Sequence, residues 1–304
     1  MTVKATASSS NTITGWQVYL DGSNVASGSA SSSLSASVAA AAGSHQLVVR
    51  AWDSTGAYNS QTSTVTVSGT SSSSSSGSSS STGLPTPPST ATVYSNVDQM
   101  TGWNSCGTAA CAGGSGKSAF WQALNQTSPS KDGNSMEIYN SGVWANALWW
   151  KKFGAKNSAT NMLWDYYVYL DANSTKYGQA LEYDMFQFVS GYNYMIGTQC
   201  NYGASVWDTW SEASGAWLHT KIPCAKFSTG TWHHIQWYVT MNHSNHSYTY
   251  KTLVVDGTSY TLNQTQYAKN LGWSDNIGVQ YQLDVNATGG GYHEWVDQSK
   301  VTIW

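Results

Sequence analysis

Along almost the whole chain, apolar and polar residues alternate in short runs with a period of two, and no run holds a helical period over a useful length. Near the N-terminus, Trp16-Gln17-Val18-Tyr19-Leu20 leads into the turn pair Asp21-Gly22; His45 to Trp52 and Thr64 to Val67 follow as further strand-like runs. Short strands at this spacing predict a small β-sandwich over residues 1–68. The chain opens directly on Thr2-Val3-Lys4-Ala5-Thr6-Ala7, so the first strand of that sandwich is expected to be truncated, as in a piece of something longer. From Val93 to Trp304 the predicted strands are Ala147–Phe153, Leu163–Leu170, Ala180–Val189, Trp232–Thr240, Tyr248–Val255, Ile277–Leu283 and Tyr292–Trp304. Roughly 210 residues of short antiparallel strands without helices predict one large sandwich, with a curved jelly roll as the common solution at that size. The expected class is therefore all-β throughout.

Between the two lies a stretch of Ser, Gly, Thr and Pro from Gly69 to Thr92 with almost nothing to bury. Such a segment cannot offset the entropy of ordering, which predicts a flexible tether, stiffer near Pro85, Pro87 and Pro88.

Composition narrows the function. The net charge is -3, Arg50 is the sole arginine and the lysines are scattered, so no surface is predicted to neutralise phosphates and nucleic acid is excluded as a partner. No apolar run approaches the roughly 18 residues of a membrane span, and the first residues do not resemble a signal peptide; a secreted chain would have its leader outside this sequence. Charged residues are only 10% of the chain while Ser, Thr, Asn, Gly, Tyr and Trp dominate, a balance usual in extracellular β-domains that meet neutral polymers. The four cysteines, Cys106, Cys111, Cys200 and Cys224, predict disulfides with the economical pairing Cys106–Cys111 and Cys200–Cys224. A zinc site ranks below this, since no C-x-x-C pair occurs and histidines near the cysteines are sparse.

Residues 1–68, with the Gly-Trp-Gln-Val-Tyr-Leu-Asp-Gly hairpin and the Gly-Ser-His-Gln-Leu-Val-Val-Arg-Ala-Trp-Asp strand, resemble the bacterial immunoglobulin-like modules that join parts of secreted enzymes; the resemblance implies a spacer. In the C-terminal part, Ser228 to Val239 with its Gly-x-Trp-His-His strand, followed by the Val-Asp-Gly of Val255-Asp256-Gly257, resembles the paired strands of the concanavalin A-like superfamily. His293 to Trp304 resembles its final jelly-roll strand. That superfamily implies a concave sheet face that takes carbohydrate, in lectins, binding modules and β-glycan-cleaving enzymes alike. A structural calcium is compatible with it, although no acidic loop pattern marks a site, and no other cofactor is expected.

The candidate chemistry centres on Leu181-Glu182-Tyr183-Asp184-Met185-Phe186-Gln187-Phe188. In an extended strand Glu182 and Asp184 share a face about 6.6 to 6.8 Å apart. Like charges that close push their pKa values apart, as where one carboxyl carries charge and another holds a proton. The stretch resembles the Glu-x-Asp-x-x-Glu strand of laminarinase-type glucanases and fungal-type cellobiohydrolases. There the first Glu is the nucleophile, the Asp tunes it, and the last Glu, turned to the same face by a β-bulge, is the acid/base. Glu182 and Asp184 match, and Gln187 departs. An amide cannot protonate a leaving oxygen, help worth about 10² to 10⁴ in rate, but it remains a good sugar ligand. Glu294, Asp208 and His293 are candidates for the missing acid, and Glu294 and Asp297 are expected on opposite faces unless a bulge intervenes.

Of the 16 tryptophans, 14 fall after residue 92, more than packing alone requires. Indole faces stack on pyranose rings. Trp164, Trp232, Trp237 and Trp304 alternate with apolar partners and are expected in the core, whereas Trp207, Trp210 and Trp217, near Asp208, are expected to be sugar platforms. Cys111 to Ser118 ends like a phosphate-binding loop but lacks its first glycine and its strand–helix setting, and reads as a disulfide-anchored turn. His233 and His234 match a structural strand, and no metal site is expected. Two functions follow, a module that binds plant or microbial β-glycans and a β-glycan hydrolase using Glu182 and Asp184. The binding module is preferred because the acid/base is missing, tryptophan is in excess and a spacer precedes. The expected protein is secreted and monomeric, with a polysaccharide as its partner and no nucleic acid or membrane.

Overall fold

The computed structural model describes residues 1–38, 40, 43–67 and 83–304. The chain divides into two compact units, Met1–Ser79 and Ser80–Trp304. The first holds β1 (Thr2–Thr6), β2 (Ile13–Leu20), β3 (Ser23–Gly28), β4 (Ser33–Ser37), β5 (Gly43–Asp53) and β6 (Tyr58–Val67). A β1–β4 ladder and a sheet in the order β3-β2-β5-β6 enclose Val3, Trp16, Val18, Leu20, Leu34 and Val38. The small sandwich is as the alternation predicts, and its opening segment pairs from Thr2 to Thr6 with Ser37 to Ser33.

The second unit begins earlier than the composition suggested. Residues 69–82 of the expected tether lie outside the described residues, but Gly83 accepts a hydrogen bond from Thr252 Oγ1 and Thr92 opens a strand. Residues 83–92 therefore fall within the second unit rather than in a linker. The strands that follow are β7 (Thr92–Tyr94), β8 (Asn104–Gly107), β9 (Ala119–Gln126), β10 (Ser135–Ser141), β11 (Asn146–Lys152), β12 (Asn161–Leu170), β13 (Ala180–Val189), β14 (Gly191–Ile196), β15 (Thr198–Asn201), β16 (Val206–Ser211) and β17 (Ala216–Pro223). The set closes with β18 (Trp232–Asn242), β19 (Ser247–Val255), β20 (Thr258–Tyr267), β21 (Lys269–Trp273), β22 (Asn276–Asp284) and β23 (Gly291–Ile303). The helical pieces are single turns, Val97–Gln99 and α1 (Ser174–Tyr177).

These strands form a jelly-roll sandwich of two antiparallel sheets. One runs β20-β19-β18-β12-β23-β10-β9, with β7 beside β23; the other runs β17-β16-β15-β13-β22-β11-β8, with β14 and β21 attached beyond β13. Period-two patterning sets their faces. In β12, Met162, Trp164, Tyr166, Val168 and Leu170 are buried, and in β18 so are Ile235, Trp237, Val239 and Met241. They meet Tyr183, Met185, Trp149 and Tyr281 of the facing sheet. The indole N–H of Trp164 is satisfied by Ser299 Oγ at 3.0 Å, as a buried donor must be. The Asp256-Gly257 dipeptide makes the tight turn between β19 and β20, with φ of 48° and 80°, as its composition predicts. Both expected disulfides, Cys106–Cys111 and Cys200–Cys224, are formed. Among the described residues no helix is long and apolar enough to cross a membrane.

Trp164 and Trp237 are in the core as expected. Trp232 and Trp304 are not: both are half-buried, Trp232 against Tyr169 and Trp304 stacked on Tyr238. Each points away from the facing sheet, because it shares strand parity with outward residues.

Candidate functional site

β13 is buried on both faces, and this is what places the site. Its odd positions from Leu181 to Val189 enter the core. Its even positions look onto the other side of the sheet, where Glu182 and Asp184 line a cleft of about 800 Å³. Antiparallel pairing carries polar residues across this floor in rows, with one register shift before Asp208 in the β16–β17 pair. Gln282, Glu182, Gln199, Asp208 and His219 stand directly opposite one another on β22, β13, β15, β16 and β17. Asp184 faces Gln280, and Asp284 faces Asn146. Strands about 4.8 Å apart put each of these side chains in reach of its neighbour.

The floor therefore holds three carboxyls, from Glu182, Asp184 and Asp284. Asp184 Oδ1 accepts the Thr198 amide N–H at 2.7 Å, and its Oδ2 accepts Gln280 Nε2 at 2.8 Å. Asp284 takes Gln282 Nε2 at 3.0 Å. Asp284 and Glu182 line the same floor, and the charge of Asp284 bears on Glu182. Burial raises all three pKa values: Asp184 to about 7, against the hydrogen bonds from Thr198 and Gln280, and Asp284 to about 6, against those from Glu182 and Gln282. Glu182 is driven well above the carboxylate range, first by burial and then by the charges of Asp284 and Asp184.

Aromatic walls rise from this polar floor. Trp210 and Trp217 pair across β16 and β17 with ring centroids 5.3 Å apart and planes at 68°. Trp144 and Trp273 also line the cleft and are 44% and 48% exposed, so their rings are open to a ligand.

Of the residues the sequence singled out, Glu182, Asp184, Trp210 and Trp217 meet here. Asp208 shares their face but is fully buried beneath the wall. Its oxygens accept His219 Nδ1 at 2.6 Å, Gln199 Nε2 at 2.8 Å and Asn201 Nδ2 at 2.9 Å, so it reaches the cleft only through those side chains. Three expectations need correcting. Gln187 is not a cleft ligand: it is fully buried on the core face, where its Nε2 donates to the carbonyls of Lys156 and Ala159, both at 3.0 Å, and its Oε1 meets His243 Nε2 at 2.9 Å. The bulge that would turn this position is absent, since β13 keeps unbroken register with β22 from Glu182 to Phe188. Trp207 is no platform; an odd number of positions from Trp210, it points inward and packs on Trp237 and Phe227. Glu294 is between the sheets, accepting the Tyr183 hydroxyl at 2.7 Å, and burial lifts its pKa to about 8. Asp297 is also buried, bonded to Ser130 and Lys131 after a register shift in the β12–β23 pairing, and His293 binds Glu137 on the outer face of the other sheet. None of the three candidate acids takes the place left by Gln187.

Asp284, the partner of Glu182, went unread because the predicted strand stopped at Leu283. The signal was present in the period-two series Gln280, Gln282, Asp284. Cys111 and Gly113 stand at the cleft rim in a disulfide-anchored turn. Among the described residues no group of three or more His, Cys, Asp or Glu is placed to hold a metal ion.

Residues 1–76 match the family model described as the N-terminal domain of chitinase A, an immunoglobulin-like domain, which agrees with the small sandwich found there. No curated protein matches the sequence. Solved structures similar in fold include a carbohydrate-binding module of the β-sandwich superfamily, 13% identical with a TM-score of 0.37 over 98% of this chain and 90% of that one. The alginate lyase vAL-1 from Chlorella virus is 8% identical with a TM-score of 0.41, over 61% of this chain and 90% of its own. Peanut lectin is 9% identical with a TM-score of 0.37, over 67% and 99%. Likenesses this distant carry no functional argument.

Proposed function

We propose that the second unit is a concanavalin A-like β-glycan-recognition domain of a secreted protein, acting as a single chain, with the immunoglobulin-like unit as its spacer. The cleft itself carries this reading: a floor of amides and carboxyls under tryptophan walls meets the two needs of a pyranose polymer, hydrogen-bond partners for its hydroxyls and indole surface for its ring faces. The two disulfides suit an oxidising compartment. Recognition without cleavage is supported by the inward turn of Gln187, which leaves the glucanase-like acid/base position off the cleft.

One observation favours a second reading, a β-glycan hydrolase. Asp284 is an acid with a raised pKa beside Glu182, and a ligand that parted the two would leave a protonated and an ionised carboxyl on one face. Incubation with β-glucans, xylan, mannan and chitin, scoring both pull-down and new reducing ends, decides between them. Binding without new ends supports recognition, new ends that vanish in Glu182→Gln support hydrolysis, and neither result on any glycan removes both.

A further inference from the structure

The glycine-rich run Cys111 to Ser118, which in sequence ends like a phosphate-binding loop, closes on a piece of the protein's own backbone. The amides of Ser115 and Gly116 both donate to the Trp144 carbonyl, at 3.0 and 2.9 Å, and the Trp144 amide donates to the Asn286 carbonyl at 3.3 Å. The approach admits no side chain: a Cβ on Gly114 would lie 2.8 Å from the Trp144 carbonyl oxygen, and one on Gly116 only 1.6 Å from that of Val143. The Cys106–Cys111 disulfide ties this turn to β8, and the Asn146 side chain, donating to the Ala112 carbonyl at 3.0 Å, ties it to β11.

What is held in this way is Trp144 in the left-handed region, with φ of 50°. That conformation is an outlier for a bulky residue, and it persists only where the surroundings over-determine it. A turn that needed only its backbone would carry glycine here, so the side chain is the reason for the residue. Its indole is 44% exposed and lines the cleft. Trp210 and Trp217 pair with one another and Trp273 leans on Phe188, whereas among the described residues the Trp144 ring has no aromatic neighbour. A rigidly mounted indole with an open face is a stacking surface for a sugar ring.

Its place in the sheet sets what can reach it. Trp144 immediately precedes β11 and Trp210 is on β16; the order β16-β15-β13-β22-β11 puts four strand spacings between those strands, about 19 Å at ~4.8 Å each. Gln199, Glu182 and Gln282 form the floor between them. A disaccharide on Trp210 and Trp217 leaves Trp144 uncovered, and a run of several sugars covers all three rings.

Resting on the reading of this cleft as a glycan site, we propose that Trp144 is a second stacking platform at the far edge of a multi-sugar site, mounted by the disulfide-anchored glycine turn, and that the ligand is an extended run of β-glycan chain rather than a mono- or disaccharide.

The test is calorimetric titration of the full chain with β-1,4-linked oligomers of glucose, xylose, mannose and N-acetylglucosamine, each as dimer and hexamer. In the series that binds, the hexamer is expected to bind at least about tenfold more tightly than the dimer. Trp144→Gly, which suits the backbone and removes only the ring, should lower hexamer affinity about tenfold while dimer affinity stays within about twofold. Trp144→Phe, a smaller ring on the same mount, should fall between the two, and circular dichroism checks the folding of both variants. Dimer and hexamer binding alike, or a hexamer that keeps its full affinity in Trp144→Gly, overturns the platform and leaves glycan recognition standing. Equal losses for dimer and hexamer also overturn it, by making Trp144 a support for the rest of the cleft. Binding of none of the oligomers, nor of any glycan in the panel above, overturns the glycan reading itself.

Discussion

Both sheets of the large sandwich turn an aromatic, polar face away from the core, and the two faces differ in how their acids are partnered. On the outer face of the β12–β23 sheet, Trp121, Tyr139, His293, Trp295, Tyr169 and Trp232 form an unbroken series of ring contacts with centroids 4.6 to 5.6 Å apart across β9, β10, β23, β12 and β18. The acids there have histidine partners, Glu137 with His293 at 2.8 Å and Asp165 with His234 at 2.7 Å. Rings lean on rings and acids on bases, so this surface is a set of cross-strand pairs that stabilise the sheet. In the cleft the acids are partnered by amides, Asp184 by Gln280 and Asp284 by Gln282. Aromatic content alone therefore does not mark a binding face; how the acids beside the rings are partnered does.

The largest effect is expected where the cleft strand meets the core. Gln187→Glu restores the glucanase-like acid pattern in sequence, yet it should create no hydrolysis. A carboxylate would replace the donor that serves Lys156 and Ala159, setting negative charge against two carbonyls. A loss of about 2 to 4 kcal/mol follows, and at about 2 to 4 °C per kcal/mol thermal unfolding should come on the order of 10 °C earlier. Reducing-end assays showing a gain of cleavage would return position 187 to the site and reopen the comparison of faces.

Next is the wall. Trp210→Ala with Trp217→Ala should weaken glycan binding about a hundredfold, near 2.7 kcal/mol, through lost ring stacking. Glu182→Gln should change affinity far less, because the amide keeps most hydrogen bonds. Affinity electrophoresis in which the double variant migrates like the parent would remove these tryptophans from recognition.

Much of this was legible beforehand, and the failures have a common cause. The strands around Met162 to Leu170 and Ile235 to Met241 are readable because a half-buried strand must alternate. The disulfides are readable because four cysteines leave few pairings. The site was half read: Glu182 and Asp184 share a face by parity alone, while Gln187 was placed beside them by assuming a bulge carried over from a resemblance. Trp207 and Trp210 are three apart and cannot both face the cleft in one regular strand, a constraint that the count of tryptophans obscured. Asp284 and Glu294 show what parity cannot reach. Which face of a strand is core depends on its neighbours in the sheet, and β13 lies between β15 and β22, the second of which is joined to it only over long sequence separation.

The third prediction uses the contrast in acid pairing. Burial holds Asp98 and Asp184 up to about 7, Glu294 to about 8, and Asp284 and Asp297 to about 6. In the unfolded chain these groups titrate near 4. Between about pH 4 and 8 the folded state therefore binds more protons than the unfolded one, so this contribution is complete below pH 4 and is lost as pH rises toward 8. The melting temperature should fall by several degrees from about pH 5 to about pH 8. Glu294→Gln keeps an acceptor for Tyr183 and removes one of the titrating groups, so its melting temperature should fall less steeply over the upper part of that range. A parent protein whose melting temperature rises with pH would show these carboxyls to be ionised and partnered.

The smallest effect belongs to the outer face, and it is the one that tests the comparison most directly. Tyr139 stands opposite both Trp121 and His293, with ring centroids at 5.5 and 4.6 Å, near the centre of the aromatic series. If the series is cross-strand packing, Tyr139→Ala removes two pair contacts worth about 0.2 to 1 kcal/mol each. The cost should be about 1 kcal/mol, or 2 to 4 °C in thermal unfolding, with affinity for every glycan unchanged. Were this face a second recognition surface, the balance would invert: stability would barely move, and retention on an insoluble polysaccharide would drop while binding of a short soluble oligomer to the cleft persisted. A calorimetric scan and an insoluble-glycan pull-down on the one variant separate these outcomes. Loss of retention without loss of stability would mean that the ladder on β9, β10, β23, β12 and β18 recognises ligand despite its histidine-paired acids, and that the partnering of acids is not the mark of a binding face in this molecule.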